Sequence, residues 1–216
     1  SADDIASGLV SGKYDIAAIP THTAAEIYNS TQGGIKILAL NTRGALSIVD
    51  GSGSVESIAD LRGKTVYIAA NDAMPEYVLD YILSENGIDP ESGIEKKYIS
   101  GQDELDAYIS GDTAQTVLLA EADIAAMIGS REGFKTVISL SKEWEKITGQ
   151  NDDGSILAMG CVIVRSEFSE ENGAAVDAFL EEYRESIDYV SENLSEAVRL
   201  CEEYGIITGS GTASAV

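Results

Sequence analysis

Short apolar runs alternate with amphipathic segments along almost the whole of this chain, and that alternation restricts its folding more than any other feature. The runs "YDIAAIP", "IKILALN", "ALSIVD", "KTVYIAA", "IEKKYIS", "AQTVLLA", "KTVISL" and "ILAMGCVIVR" have strand length and are mostly flanked by turn-forming residues. Helical patterns separate most of them, as in "AAEIYN", "DELDAYISG", "EADIAAMIG" and "SKEWEKITG". The clearest is "PEYVLDYILSENG", where proline opens the helix without needing an amide hydrogen and glycine closes it. From Ser169 onward the chain reads as helix, with a break near residues 191–193, before a tail-like end. Strands alternating with helices predict parallel βαβ units and an α/β fold.

Ligands of such folds sit at the carboxyl ends of strands, so the strand-to-helix turns carry the functional information. Three stand out, "PTHT", "NDAMP" and "AEAD", and a fourth, "NTRG", joins two strands. The first holds the only histidine of the chain, His22. Its two readings start from one geometry. Thr21 or Thr23 can cap the following helix and leave His22 exposed. Equally, the free amides and partial positive charge of that helix start can hold a polar or anionic ligand group. In "NDAMP", Asn and Asp suit a turn, while Pro75 fixes the amides that follow. Arg43 serves as a ligand counter-ion or as half of a surface ion pair, and Glu121 as a ligand acceptor or a helix cap. Met74 is cleft lining or core, and Trp144 packs against the second half of the fold or, as the alternative, lines the site.

Charge narrows the partners. Lys and Arg number 14 against 37 Asp and Glu, a formal charge of −23. Such a polyanion is repelled by nucleic-acid phosphates and anionic membranes, so no nucleic-acid partner is expected. No apolar run reaches the ~18 residues that span a membrane. "RGKT" lacks the earlier glycine of a phosphate loop and leads into a strand, not a helix. One histidine without a Gly-x-Ser-x-Gly elbow gives no recognisable nucleophilic constellation. Cys161 and Cys201 lack metal-ligand spacing and read as buried free thiols, with a disulfide between them as the alternative. No catalytic residue, metal or cofactor is therefore expected. Ser57-x-x-Asp60 predicts a capping box ahead of a short turn.

The phrases "LVSGKYDIAAIP", "LALNTRGALSIVD", "SIADLRGKTVYIAA", "PEYVLDYILSENGID" and "LAMGCVIVRSEF", in that order, resemble the substrate-binding proteins of bacterial ABC importers. The similar group is the nitrate/sulfonate/thiamine-precursor type with the type II periplasmic-binding-protein fold. The resemblance implies two α/β lobes joined by two crossover strands that close on a small organic ligand. Lobe one would be residues 1–49 plus 156–216, and lobe two residues 50–155. The implied ligand contacts are Thr21, His22 and Thr23, then Asn41 and Thr42. Across the hinge they are Asn71, Asp72, Ala73 and Met74 with Glu121 and Ala122, and on the return strand Met159 and Gly160. The implied partner is the membrane permease of the importer. The implied location is extracytoplasmic, periplasmic or lipid-anchored, with leader and anchor outside this chain.

Relatives normally begin with a further strand and a glycine-containing loop and continue past "YGI", so the chain reads as trimmed at both ends. The turn after "TVLL" departs from the usual Pro-Glu-Pro, which leaves ligand identity open. Two other classes remain: an enzyme on the same fold, of the menaquinone- or pyrimidine-biosynthesis kind with His22 as acid/base, and the ligand-sensing domain of a regulator.

Overall fold

The computed structural model describes residues 2–44, 46–69, 73–110, 115–120, 123–124, 128, 133–149 and 156–204. These fall into two compact units, one built from residues before Gly44 and after Leu157, the other from the residues between. The chain therefore crosses between units twice, at 43–44 and 157–158.

In the first unit, helix α1 (Ala2–Val10) leads to β1 (Ile16–Pro20), α2 (Thr21–Ser30) and β2 (Ile35–Arg43). Gly12, at a φ of +74°, makes the reversal between α1 and β1, a conformation that a Cβ disfavours. The sheet is completed from the far end of the chain by β8 (Ala158–Arg165), which lies between β1 and β2 and antiparallel to both. Residues 160–164 of β8 are all buried, as a central strand covered on both faces requires. Leu9, Ile19, Ala24, Ile27, Ile35, Cys161 and Ile163 form the core. The guanidinium of Arg165 meets the Asp15 carboxylate at 3.1 Å and so fixes the far end of the sheet. Helices α6 (Ser166–Glu171), α7 (Gly173–Glu192) and α8 (Leu194–Glu203) follow. The expected break falls at Asn193.

The second unit holds a five-stranded sheet from β3 (Leu46–Asp50), β4 (Thr65–Ala69), β5 (Glu95–Ile99), β6 (Thr116–Ala120) and β7 (Lys135–Ser139), in the order β5-β4-β6-β3-β7. Helices α3 (Met74–Glu85), α4 (Gln102–Ser110) and α5 (Leu140–Thr148) belong to it. The segment β4-α3-β5-α4-β6 is the parallel unit that the alternation predicts. The parallel expectation fails for β3 and β8, which run antiparallel to their neighbours. Each follows a crossing, and its direction is set by that crossing and not by a helical return.

Helix α3 buries Pro75, Val78, Leu79, Ile82 and Leu83, a single face at helical spacing. Each fully buried Leu or Ile there contributes roughly 1.5–3 kcal/mol. Tyr81 of α3 packs on Trp144 of α5, ring centroids 4.8 Å apart, which places the tryptophan within this unit. A second tie is ionic: Lys96 reaches Glu76 at 3.0 Å and Asp80 at 2.7 Å. Burial pushes the Asp80 carboxyl up despite the ammonium beside it. The capping box forms: the Asp60 carboxylate accepts from the Ser57 N–H and hydroxyl at 2.9 and 2.8 Å.

The most buried charged group among the described residues of this unit is Asp50, at the end of β3 and 2% exposed. It accepts hydrogen bonds from the Thr116 hydroxyl at 2.8 Å, the Ser52 hydroxyl at 2.9 Å and the Ser54 N–H at 3.2 Å. Burial works against its charge, but these donors together hold its pKa below the usual carboxylate value.

Candidate functional site

Strands β1 and β2 end where β8 begins, and the candidate residues of the first unit gather there. Gly160 pairs with Pro20 on one side and Thr42 on the other. Along β2 and β8 the register slips first between Ile37 and Ala39 and then, at the strand end, between Leu40 and Thr42, leaving Asn41 outside the ladder. It slips again between Thr42 and Arg43, which pair with Gly160 and Ala158, so Met159 is left out as well. Bulges of this kind re-aim side chains and are common beside binding sites.

Gly160 is required by what lies over it. A Cβ there would stand 2.5 Å from Asn41 Oδ1 and 2.7 Å from Thr42 Oγ1, too close for either to stay. Asn41 and Thr42 thus rest on bare backbone, both exposed, with the Thr42 hydroxyl donating to Asn41 Oδ1 at 3.3 Å. Arg43, next along, is also exposed.

Helix α2 starts at the same level. The sequence suggests a polar turn at "PTHT", yet the helix begins at Thr21, with Pro20 as its N-cap and no side chain accepting from the first amides. Thr21 does not cap. Its hydroxyl donates instead to the Ala158 carbonyl at 2.8 Å, tying the helix start to the first residue of β8. The proline ring has already set the extended φ of −58° that an N-cap needs. His22 is the second helical residue, half-buried, with Nε2 3.3 Å from the Thr23 hydroxyl. Thr23 itself is buried. The first amides of a helix have no intrahelical acceptor, and they carry the positive end of the helix dipole.

In the second unit, Ala73 occupies the N-cap of α3, half-buried Met74 is its first residue and buried Pro75 its second. The helix thus starts one residue earlier than the proline suggests. Asn71, Asp72, Glu121 and Ala122 lie outside the described residues. The structure therefore groups Thr21, His22, Asn41, Thr42, Met159 and Gly160, with Thr23 tucked beneath. The tie from Thr21 to Ala158 and the two bulges are absent from the sequence reading, since "LALNTR" and "LAMGCV" contain no signal for a slipped register. A groove of about 490 Å3 flanks α2 and the start of β2, lined by Thr21 of this group and mainly by Ala24, Ala25, Tyr28, Ile35 and Ile37 beyond it.

Hydroxyls, a carboxamide and an imidazole lie at this strand end, beside the positive end of the α2 dipole. Cys161, beside Gly160, is fully buried and burial pushes its thiol up, away from nucleophilic use. Among the described residues no cluster of three or more His, Cys, Asp or Glu is placed to hold a metal. No helix described is long and apolar enough to cross a membrane.

Residues 1–137 match the family model described as ABC transporter, phosphonate, periplasmic substrate-binding protein. The chain belongs to this family. These are binding components of transporters, and they work outside the cytoplasm. The periplasmic aliphatic sulphonate binding protein SsuA of Escherichia coli aligns with 95% of this chain and 66% of its own, at 14% identity and a TM-score of 0.72. An ABC transporter protein from Parabacteroides distasonis aligns with 96% of this chain and 67% of its own, at 19% identity and a TM-score of 0.71. The alkanesulfonate-binding protein SsuA of Xanthomonas axonopodis pv. citri, bound to MOPS, aligns over 93% and 65%, at 12% identity and a TM-score of 0.63. At such identities the likeness is one of fold, the α/β fold of periplasmic binding proteins. This chain spans about two thirds of the length of those structures. No curated protein matches it.

Proposed function

We propose that this member of the family captures a small organic ligand bearing an oxygen-rich polar group and presents it to the membrane permease of an ABC importer. The observation that carries the reading is the bulged strand end around Gly160, where Asn41, Thr42 and Met159 leave the ladder beside the start of α2. The Thr42 hydroxyl, the Asn41 carboxamide, the His22 imidazole and the positive end of α2 suit acceptor oxygens on the ligand, while the Thr21 hydroxyl, its proton given to the Ala158 carbonyl, holds the helix start in place. From the second unit the start of α3, with Ala73 and Met74, would add contacts, together with Asn71, Asp72, Glu121 and Ala122. Closure of two lobes about the crossings at 43–44 and 157–158 would then trap the ligand. No ligand bond is broken. The protein would work free or held at the cell surface by a lipid.

A sulfonate or phosphonate is favoured as the polar group. The family carries phosphonate in its description, and two aligned structures are sulfonate-binding proteins. Helix-start amides and hydroxyls hold such tetrahedral oxyanions without a cationic side chain. The test is a thermal-shift and calorimetry series with methylphosphonate, ethanesulfonate and MOPS, against amino acids and pyrimidines. A ligand at a hundred times its Kd stabilises by about 2.7 kcal/mol, which a melting curve registers. Asn41→Ala and Thr42→Val should each weaken binding tenfold or more. The reading fails if no oxyanion raises the melting point, or if both variants bind as tightly as the parent.

A further inference from the structure

The groove beside α2 belongs wholly to the first unit. One wall is Thr21, Ala24, Ala25 and Tyr28, a single face of α2 at helical spacing, and the other is Ile35 and Ile37 of β2. Strand pairing fixes its direction. The Thr21 hydroxyl bonds the Ala158 carbonyl, and Ala158 pairs with Arg43 at the end of β2. Ile35 pairs with Arg165, at the other end of β8. The groove therefore opens at the level of Asn41 and Thr42 and descends along α2 for about 10 Å, the rise from Thr21 to Tyr28.

Its chemistry is unlike that of the strand end. The short side chains of Ala24 and Ala25 leave about 490 Å3, within the range of small-ligand sites. Tyr28 and Ile37 are 55% and 59% exposed, apolar surface that a hydrocarbon occupant would take out of water. The charged side chain among the described lining residues is Lys36. Its ammonium pairs with Glu170 at 3.1 Å, so the groove meets its aliphatic stem and not a free charge. A polar strand end thus continues, at Thr21, into an apolar channel, and the two together match a ligand made of the same two parts.

We propose that this groove takes the hydrocarbon tail of the ligand, so that the substrate is an amphiphile: a sulfonate or phosphonate head at the strand end around Gly160, on an unbranched alkyl chain lying along α2. The inference rests on the oxyanion reading above and adds the tail to it. Chain length is then measured within the first unit, by how far α2 and β2 run side by side. The head supplies orientation and the tail most of the discrimination, since apolar burial grows with every methylene.

Calorimetry with a series from ethanesulfonate to decanesulfonate, kept below micelle-forming concentrations, tests this. Each added methylene should tighten Kd about two- to fourfold, the upper figure being that of a fully buried CH2. The gain should stop near octanesulfonate, where the groove ends. Ala25→Phe and Ile37→Ser change exposed positions and so spare the core. Ala25→Phe closes the groove and should flatten the series, and Ile37→Ser should reduce its slope. n-Octanol, a tail without an oxyanion, should bind weakly, compete with octanesulfonate and lose its site in Ala25→Phe. An affinity independent of chain length, or a slope that survives Ala25→Phe in full, overturns the proposal and leaves the head-group reading standing. So does a dimer in sedimentation that Ala25→Phe dissolves, because a second copy would then cover the groove. If no oxyanion of any length binds, the octanol response of parent and Ala25→Phe still decides the groove, and only the head-group reading falls.

Discussion

Replacing Asp50 by alanine isolates the most buried charge among the described residues of the second unit. Four groups change at once: the carboxylate goes, and the Thr116 hydroxyl, the Ser52 hydroxyl and the Ser54 N–H lose their acceptor. Ser52 is near solvent and finds water, so its share is small. Thr116 is 4% exposed and keeps an unsatisfied donor between β3 and β6. A hydrogen bond to a charged acceptor contributes about 1.5–3 kcal/mol. Taking Thr116 in full and Ser54 in part, Asp50→Ala should cost about 3 kcal/mol at pH 7. Because these bonds hold the folded pKa below the unfolded value, the contribution is present above the unfolded pKa, ~3.9, and fades as pH falls through the folded one. Urea unfolding of parent and variant from pH 7 to pH 3 measures both. The gap should stay constant down to about pH 5 and narrow below pH 4. A gap under ~0.5 kcal/mol at pH 7, or one that widens with acid, would show that Asp50 is not the acceptor that ties β3 to β6.

Lys96→Met should lower stability by about 2 kcal/mol, short of the ~3–5 kcal/mol of a fully buried broken pair, because the Glu76 and Asp80 side chains remain 27% and 26% exposed. The midpoint of urea unfolding at pH 7 reads this, and Asp80→Asn in the same background should recover part of the loss. Thr21→Val deletes the bond to the Ala158 carbonyl and should cost about 1 kcal/mol by thermal unfolding, together with a measurable loss of ligand affinity. Gly160→Ala should cost about 1–3 kcal/mol through overpacking and displace Asn41 and Thr42, which calorimetry with a bound oxyanion would register as a weaker Kd. His22→Ala should change affinity alone. Any product formed by the parent and lost in that variant would point to an enzyme.

The strands were legible because their apolar runs are short and cleanly punctuated. "PEYVLDYILSENG" announced α3 through its buried spacing, and the helix break at Asn193 through its polar cluster. Strand direction was not, since a buried antiparallel strand such as β8 has the same continuous apolar run as a parallel one. The start of α2 was misjudged for a local reason. Threonine is a good cap by composition, but here Pro20 holds that position and Thr21 spends its hydroxyl on a carbonyl 137 residues away. The candidate residues were named from the turns and from the family resemblance together, yet the slips that aim Asn41 and Met159 depend on how two distant strands meet. Nothing in either strand encodes them alone.

The placement of β8 has a consequence for how the protein is made. The second unit is one uninterrupted stretch and can assemble as soon as residue 157 is available. The first unit cannot: β1 and β2 pair only with β8 among the described residues, so their sheet has no centre until Arg165 has been synthesised. Folding should therefore be ordered, with the inserted stretch forming first because all its strands lie within it, and the outer one waiting for a strand from the far end of the chain. A refolding experiment should resolve two phases, and the slower one should bring the site around Gly160 into being.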